Sequence, residues 1–491
     1  MMTMLNQLIK SIAPIEIHNP SDILISDICY RSTDCKADSL FVAIAGVHRD
    51  GHSYIPDAVD RGARTIIYSD ENTPLIDNIT FIRVEDTRKT LAQLSNTFFS
   101  EPSKYLNVVA ITGTNGKSTF CDMARYVFTY AGQKAAAITT LGYFYDELFF
   151  KQQMTTPPSR DTQHLLRLSL DEGASYVFME ASSHGIDQKR IDGILFDACV
   201  FSNLSNDHLD YHITMEAYYQ AKKRLFTQSA YYHILNIDDL YGKRLAQEIS
   251  LPNTQQLTFS FYNPQSTYRL LDYREEDWQV HFTFKGDGIE EHFTMNTPGK
   301  YNVYNAAPVI IYAMKKGIDI KTIKEALSCY PGLKGRMQHI RFGGDIDVVI
   351  DYAHTPDGMH YLLEAIKKHC SGRIITVFGC GGERDRQKRP VMGNIASQNS
   401  DITIITEDNP RSESAEQIAD EIYAGIKNTH NVSIIIPRFC AIEYALSIAR
   451  PGDCVVLAGK GHEEHIEINN KLIPFRDEDV VYALKEGALN C

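Results

Sequence analysis

The chain has 491 residues, of which 43% are hydrophobic and 23% are charged, and its formal net charge is −13. This length predicts about two to four domains, and the composition is typical of a soluble globular protein. The negative charge argues against a nucleic-acid or membrane-surface partner, and no apolar run approaches the roughly 18 residues that span a bilayer.

The amino-terminal segment and the cysteines indicate the compartment. Asn6, Gln7 and Lys10 interrupt the first apolar residues, so we expect no secretion signal. The ten cysteines are scattered and form no CxxC pair, which is typical of reduced thiols. We therefore expect a cytoplasmic protein.

The first region, residues 1–104, alternates β-type and helical patterns. Strands are predicted at 40–44, 65–68 and 81–84, and a helix is predicted at 87–99. The serine- and proline-containing segment 100–103 is a plausible joint to the next domain.

The second region, residues 105–334, begins with the most informative segment of the chain. The buried-type run 108–112 leads into Gly113-Thr114-Asn115-Gly116-Lys117-Ser118-Thr119, and a helical pattern follows. Strand, glycine turn and helix form the layout of a phosphate-binding loop, in which Lys117 reaches terminal phosphates and Ser118 binds Mg²⁺. The motif is shorter than a Walker A sequence, and an ordinary turn with a surface lysine is the alternative interpretation.

Further elements of this region predict a mostly parallel, helix-covered sheet. Strands are predicted at 135–139, 176–179 and 198–201, and helices at 215–226 and 320–330. Another helix is predicted to end near 314–317. Residues 255–295 show the alternation of an antiparallel insertion, as in 278–284.

The third region, residues 335–491, again alternates strands and helices. Strands are predicted at 348–350, 374–378, 402–405, 433–436 and 454–457, which favours a Rossmann-like domain. Its Gly379-Cys380-Gly381-Gly382 segment is not a dinucleotide fingerprint, so NAD binding is not predicted.

Several motifs, in a fixed order, give the chain a resemblance to the Mur ligases over nearly its whole length. These motifs are 38–43 with 50–52, 113–119, 155–157, 180–184, 203–210, 221–222, 302–305, 335–336, 351–356 and 408–411. One alone would be weak, whereas ten in order are specific.

The resemblance implies an α/β protein of three domains. These are a nucleotide-sugar-binding domain (1–104), a central P-loop-type ATPase domain with a parallel sheet (105–334) and a Rossmann-like amino-acid-binding domain (335–491). It implies a monomeric ligase of peptidoglycan precursor synthesis that uses ATP and Mg²⁺ and acts on small molecules. In the implied reaction, a peptide carboxylate takes the γ-phosphate of ATP, and an amino acid then displaces phosphate from the acyl phosphate.

The resemblance also implies roles for individual residues. The catalytic residues and metal ligands would be Lys117, Ser118, Glu180, His208 and a carbamylated Lys222. Spacing alone would instead predict an ordinary loop histidine at His208 and a solvated lysine at Lys222. The 113–119 loop, Asn302, Arg336, Asp351 and His354 would bind ATP, although turn and capping chemistry also explains Asn302.

Two further sets of residues are implied for the other substrates. The UDP-muramoyl-dipeptide would contact Ser32, Val47, His48, Arg49, Thr155, Thr156, Ser182, Gln188 and Arg190. The family commonly has Asp-Ser-Arg where this chain has Arg31-Ser32-Thr33, so the uridine pocket departs from the pattern. The added amino acid would contact Arg384, Asp408, Asn409, Pro410, Arg411, Gly459 and Glu463.

Arg411 bears on which amino acid is added. Members that add lysine lack arginine in this motif, and a guanidinium can bind the extra carboxylate of meso-diaminopimelate through two parallel hydrogen bonds. The resemblance therefore favours diaminopimelate. The alternatives are lysine as the added amino acid, another Mur or folylpolyglutamate-type ligase, and a P-loop NTPase that drives motion or signalling.

Overall fold

The computed structural model describes residues 2–46, 49–276 and 278–487, without the side chain of Asp210. The chain divides into two compact units. Unit 1 contains the segment up to Leu271 together with Thr283–Glu291 and Tyr304–Ala326, and unit 2 contains Asp272–Phe282, His292–Val303 and the segment from Leu327 onward. Across these described ranges, no helix combines the length and the apolar character needed to cross a bilayer.

The first part of unit 1 is a small α/β region with one five-stranded sheet and a separate pair of short strands. Its elements are β1 Thr3–Met4, α1 Leu5–Ile9, β2 Glu16–His18, β3 Leu24–Ile25, β4 Asp27–Cys29, β5 Ser39–Val42, α2 Ile55–Asp60, β6 Ala63–Tyr68, β7 Thr80–Arg83 and α3 Thr87–Phe98. The strand order is β2-β7-β6-β5-β4, in which only β2 pairs antiparallel with its neighbour. Helix α3 begins where the Asp86 carboxylate accepts the Lys89 N–H, which is a typical N-cap.

A larger sheet follows along the chain. Its elements, with the helices between them, are β8 Asn107–Thr112, α4 Lys117–Tyr130, β9 Ala135–Thr139, β10 Gly142–Tyr145, β11 Leu148–Phe150, α5 Ser159–Asp171, β12 Tyr176–Glu180, α6 Ser183–Asp187, β13 Phe196–Phe201, α7 Leu209–His212, α8 Met215–Lys223, β14 Ala230–Asn236, α9 Leu240–Glu248, β15 Gln255–Ser260, β16 Tyr268–Glu276, β17 Gln279–Gly286, β18 Ile289–Met295, α10 Lys300–Lys315 and α11 Ile320–Cys329. Strands β9-β12-β8-β13-β14-β15 are consecutive parallel neighbours. Because parallel strands end at one edge, the residues that follow β8, β12 and β13 come together there.

Unit 2 contains a six-stranded sheet with helices between its strands, and a separate two-stranded sheet. Its elements are β19 Gln338–Gly343, β20 Ile346–Asp351, α12 Pro356–Ile366, β21 Ile374–Phe378, α13 Lys388–Asn399, β22 Ile402–Ile405, α14 Ala415–Tyr423, β23 Val432–Ile434, α15 Arg438–Ile448, β24 Cys454–Ala458, β25 His465–Ile468, β26 Lys471–Pro474 and α16 Asp477–Lys485. The order is β19-β20-β24-β21-β22-β23, and only the edge strand β19 is antiparallel to its neighbour. The carboxyl ends of β21, β22 and β24 therefore share one edge.

The structure corrects three local predictions. The helix predicted at 215–226 ends at Lys223, since residues 224–227 tighten into a 3-10 turn. The segment predicted to be antiparallel throughout begins with β15, which is parallel to β14 and to β16. Trp278 is not in a strand: it lies in the turn before β17 at φ +61°, stacked between the rings of His339 (4.1 Å) and His369 (4.8 Å) in unit 2.

The central strands are buried on both faces, as their continuous apolar sequence indicates. Val108, Val109, Ala110 and Ile111 of β8 are fully buried. A near-continuous apolar strand is the pattern expected when helices cover both sides of a parallel sheet. Local sequence and tertiary burial therefore agree at the strand that carries the predicted phosphate loop.

A buried histidine on β14 makes stability depend on pH. His233 packs edge-to-face against Phe226, and burial lowers its pKa to about 4, although a backbone hydrogen bond involving Gln228 opposes the shift. The folded state therefore binds fewer protons than the unfolded state between about pH 4 and pH 6.5, and stability falls as the pH drops through that window.

We expect His233→Gln to flatten this part of the stability profile. The loss in the unchanged protein is about 3 kcal/mol, because the pKa of His233 falls from 6.5 in the unfolded chain to about 4 in the folded protein. The effect is measured as the urea midpoint of unfolding at a series of pH values between about 7 and 4. His360→Gln, at an exposed helical position, is the control, and equal profiles for both variants would contradict the assignment.

Candidate functional site

The predicted phosphate loop lies between β8 and α4 at the carboxyl edge of the unit 1 sheet. Lys117, Ser118 and Thr119 open helix α4, so the N–H groups of its first turn face the loop. Gly116 has φ +90°, and a Cβ there would come within 2.2 Å of the Asn305 Oδ1. Only glycine fits this position, because both the backbone angle and the neighbouring amide exclude a side chain.

Hydrogen bonds hold the loop in shape. The Lys117 ammonium donates to the carbonyls of Gly113 and Thr114, both at 2.9 Å. The Asn203 side chain accepts the Asn115 N–H at 2.9 Å and donates to the Asn115 carbonyl at 3.1 Å. The loop is therefore fixed before any ligand is considered.

Ser118 and Glu180 come together as predicted. The Ser118 hydroxyl donates to the Glu180 Oε1 at 2.7 Å, and Glu180 is 1% exposed. Thr140 donates its N–H to Oε1 at 2.9 Å and its hydroxyl to Oε2 at 3.2 Å. Three donors thus orient one buried carboxylate beside the phosphate loop.

Lys222 is not the solvated charge that its helix would allow. It is 1% exposed, and its ammonium donates to the Gly113 carbonyl at 2.8 Å and lies 4.7 Å from the centre of the Tyr218 ring. Burial, followed by the charge of Lys117, lowers the pKa of this amine well below its ordinary value. Lys223 instead pairs with Glu248 at 2.9 Å.

His208 lies beside this cluster. It caps the short helix α7 at φ +54°, and its ring is 5.0 Å from the His184 ring and 6.0 Å from that of Tyr218. Ile213, on the other side of α7, has φ +66°, which is strained for a β-branched residue. Among the described residues, no group of three or more His, Cys, Asp and Glu side chains is arranged to hold a metal ion.

Most of the predicted muramoyl-peptide residues form one polar cluster in unit 1. Thr155 accepts a hydrogen bond from Thr140 at 3.0 Å, and the Thr156 hydroxyl donates to the Glu180 carbonyl at 2.8 Å and accepts the Ser182 N–H at 2.9 Å. Arg190 donates to the Thr156 carbonyl at 2.8 Å and to Gln188 at 2.7 Å. Burial, then the nearby Arg88, lowers the pKa of Arg190.

The predicted uridine residues are only partly described. Val47 and His48 lie outside the described residues, and Arg49 is exposed. Ser32 is buried in a short 3-10 turn, and its hydroxyl bonds to Asp57. Ser32 is thus already engaged within the protein.

Four predicted nucleotide-binding residues lie in unit 2. Asp351 accepts the N–H groups of Met337 (2.7 Å) and Ala353 (2.8 Å), and burial raises its pKa although Arg336 opposes the shift. The Arg336 guanidinium lies 4.8 Å from the centre of the Tyr352 ring, and the His354 ring contacts the same ring at 4.6 Å. Asn302 is buried in the first turn of α10 and donates to the Pro298 carbonyl at 2.7 Å.

The predicted amino-acid residues converge at the carboxyl edge of the unit 2 sheet. Asn409 donates to Glu463 at 2.6 Å and accepts from Lys460 at 3.2 Å, and Lys460 also donates to Glu463 at 3.0 Å. Burial would raise the pKa of Glu463, but Lys460 and Asn409 together lower it. Burial raises the pKa of Asp408, with the Lys460 charge opposing.

Arg411 is bonded to strand β25 and to the glycine-rich loop. Its Nε donates to Glu467 at 3.0 Å and its Nη1 to the Gly382 carbonyl at 2.7 Å. Gly459 faces Asp408 so closely that a Cβ would lie 2.7 Å from the Asp408 Oδ2. The Pro410 carbonyl accepts the Glu413 N–H at 3.0 Å, and Arg384 is exposed on the neighbouring glycine-rich loop.

The structure brings residues into the site to which the sequence analysis gave no role of their own. These are Thr140, Asn203, Tyr218, Asn305 and Lys460, each in contact with a predicted site residue. Thr140 and Asn203 follow strands that end at the same edge as β8, so strand ends alone could have indicated them. Asn305 lies in the 302–305 motif and Lys460 lies between the predicted residues Gly459 and Glu463. Tyr218 gave no such signal, because a helical residue of this kind meets the site only through tertiary packing.

Three family models match successive parts of the chain. They describe a Mur ligase family catalytic domain at residues 24–99, a Mur ligase middle domain at 111–313 and a Mur ligase glutamate ligase domain at 335–461. These matches follow the order of the motifs and cover more than half of the chain.

Full-length relatives agree with these matches. The UDP-N-acetylmuramoyl-L-alanyl-D-glutamate–2,6-diaminopimelate ligase of Clostridium tetani is 37% identical over 98% of this chain and 99% of its own. The Aquifex aeolicus enzyme of that name is 38% identical over 94% of both chains. A solved structure of a ligase of that name covers 100% of both chains at 29% identity, with a TM-score of 0.74.

These similarities confirm the predicted α/β fold class and the family resemblance. A folylpolyglutamate synthase from Mycobacterium tuberculosis shares only the fold, at 15% identity and a TM-score of 0.63 over 76% of this chain and 92% of its own. The chain belongs to the Mur ligase family.

Proposed function

We propose that the protein is the ATP-dependent ligase that joins meso-2,6-diaminopimelate to UDP-N-acetylmuramoyl-L-alanyl-D-glutamate in peptidoglycan precursor synthesis. The observation that carries this proposal is full-length similarity, at 37% identity, to a relative of that name. The Asp408–Arg411 motif supports it, because a diamino acid with a distal carboxylate needs a planar cation.

The reaction has two balanced steps. A carboxylate of the nucleotide-linked dipeptide attacks the γ-phosphorus of ATP, which forms an acyl phosphate and releases ADP. The diaminopimelate amine then attacks the acyl carbon, inorganic phosphate leaves and the nitrogen loses a proton. Lys117 and the N–H groups at the start of α4 stabilise the negative charge that gathers on the phosphoryl group.

The residues around Ser118 fit a magnesium ion. A hydroxyl and a buried carboxylate 2.7 Å apart are the hard oxygen donors that Mg²⁺ prefers. We assign Ser118, Glu180, His208 and a carbamylated Lys222 as the residues that hold it. When bound, the ion neutralises phosphate charge and orients the phosphoryl oxygens.

The environment of Lys222 supports carbamylation. An uncharged amine adds CO₂ to give a carbamate and one proton. Burial, followed by the charge of Lys117, lowers the pKa of this amine well below its ordinary value, which favours the uncharged form. The modification gives this side chain a negative charge beside Lys117 and supplies oxygen ligands.

The remaining assignments are also proposals. Residues 1–104, 105–334 and 335–491 are proposed as the sugar-nucleotide, ATP and amino-acid domains, and the family matches each fall within one of them. The ATP, muramoyl-dipeptide and diaminopimelate contacts are those predicted from the motifs. We propose a monomer that acts in the cytoplasm on small molecules.

The test is coupled turnover by the purified protein with Mg²⁺. Phosphate release should require ATP, the UDP-muramoyl-dipeptide and meso-diaminopimelate together, and the product should have the mass of the new amide. Omission of either acceptor should stop phosphate release. Phosphate release without an acceptor would instead support a self-standing NTPase, and preference for L-lysine would support the lysine-adding alternative.

A further inference from the structure

We propose that two fully buried arginines, Arg438 and Arg389, are positioning residues for the amino-acid pocket. The inference rests on the proposed function, because it takes the loops around Asp408–Arg411 as the diaminopimelate site. Both are among the largest fully buried side chains. Arg438 binds two backbone carbonyls adjacent to predicted pocket residues, and Arg389 binds the Gly381 carbonyl in the loop that carries Arg384.

Arg438 joins the ends of two strands. Its Nη2 donates to the Ala458 carbonyl at 3.1 Å and its Nη1 to the Glu407 carbonyl at 3.4 Å. Ala458 ends β24 immediately before Gly459, and Glu407 immediately precedes Asp408. One guanidinium therefore fixes the backbone on both sides of the Asp408–Gly459 contact.

Asp477 holds Arg438 in place. Its two carboxylate oxygens accept from Nε at 2.8 Å and from Nη2 at 2.7 Å, and both side chains are 0% exposed. A bidentate pair of this kind has one favourable geometry, and lysine cannot reproduce it because an ammonium lacks the planar fork.

Arg389 does the same for the other side of the pocket. Its Nη2 donates to the Gly381 carbonyl at 3.1 Å, and the guanidinium binds both oxygens of Glu413. Glu413 in turn accepts the Glu383 N–H. Arg389 therefore joins the glycine-rich loop that carries Arg384 to the segment that follows Arg411.

Burial explains why the two arginine–carboxylate pairs hold the neighbouring backbone in one arrangement. A buried charge is costly unless it is paired, so the paired Arg438 keeps two carbonyls, and the paired Arg389 keeps the Gly381 carbonyl, at fixed positions. A substrate held between charged groups then meets a site that needs little rearrangement.

The experiment compares Arg438→Lys, Asp477→Asn and Arg389→Lys with the unchanged full-length protein. We expect the KM for meso-diaminopimelate to rise about tenfold in each, because one to two buried hydrogen bonds are lost, while KM for ATP and for the UDP-muramoyl-dipeptide changes less than about twofold. The thermal midpoint is recorded for every variant.

The matched control is Arg373→Lys. Arg373 pairs with Asp453 through Nε and Nη2 at 3.1 and 2.7 Å, but it lies at the amino ends of β21 and β24, opposite the pocket. This variant should lower the thermal midpoint without raising the KM for diaminopimelate. Asp477→Asn, which preserves side-chain shape, and Arg389→Lys decide the outcome if Arg438→Lys fails to fold.

Two results would overturn the inference. The first is an unchanged KM for diaminopimelate in the folded variants, and the second is an equal rise in KM for all three substrates, which a purely structural role would give. Arg411→Ala, measured in parallel, separates this failure from that of the proposed function. If that variant also leaves diaminopimelate use unchanged, the pocket itself is wrongly assigned.

Discussion

Replacing Lys222 with alanine is expected to remove most of the ligase activity, by about 10²-fold or more in kcat. The side chain is buried against the phosphate loop, where its amine contacts the Gly113 carbonyl at 2.8 Å. Its loss removes the proposed carbamate, and with it a negative group that holds the metal. The measurement is turnover with every substrate at a saturating concentration, followed as phosphate release and as amide product.

Chemical rescue makes this prediction specific. Excess bicarbonate or a short-chain carboxylate should restore part of the activity, because a small anion can occupy the space that the side chain leaves. The neighbouring Lys223→Ala is the control: Lys223 pairs with Glu248 at 2.9 Å, and its loss should leave turnover nearly unchanged. Full activity in Lys222→Ala would end the carbamate proposal.

Replacing Arg411 with alanine is expected to lower kcat/KM for meso-diaminopimelate by about 10²-fold. The Arg411 Nε and Nη1 donate to Glu467 and to the Gly382 carbonyl. Over the described ranges, the Arg411 Nη2 has no protein acceptor, so its N–H groups are the ones that a substrate carboxylate would accept. A charge-assisted pair in a partly buried site accounts for an effect of this size.

L-Lysine provides the internal comparison for Arg411. L-Lysine lacks the distal carboxylate, so its low kcat/KM should change little in Arg411→Ala. The ratio of kcat/KM for meso-diaminopimelate to kcat/KM for L-lysine should therefore fall towards one. Arg411→Lys separates charge from shape, because it keeps the cation without the fork. Arg386→Ala, at an exposed arginine paired with Glu421, is the positional control. Unchanged discrimination in Arg411→Ala would remove this residue from the specificity site.

The fold class, most strand positions and the family follow from the amino-acid sequence. Apolar runs buried on both faces place β8, β21 and β22 with little error, because hydrophobic periodicity is a local property of the chain. The glycine, lysine and hydroxyl residues at 113–119 likewise predict a phosphate loop through local backbone chemistry. Motif order then identified the family, which full-length similarity confirms.

Tertiary structure alone decided what surrounds those motifs. Lys222 reads in sequence as one of two similar lysines, and only packing buries it beside Lys117 while leaving Lys223 at a salt bridge. Arg438 and Asp477 are 39 residues apart and carry no motif, yet they form a fully buried pair behind the amino-acid pocket. Burial and hydrogen-bond partnership depend on which distant segments meet, and local sequence patterns do not encode that information.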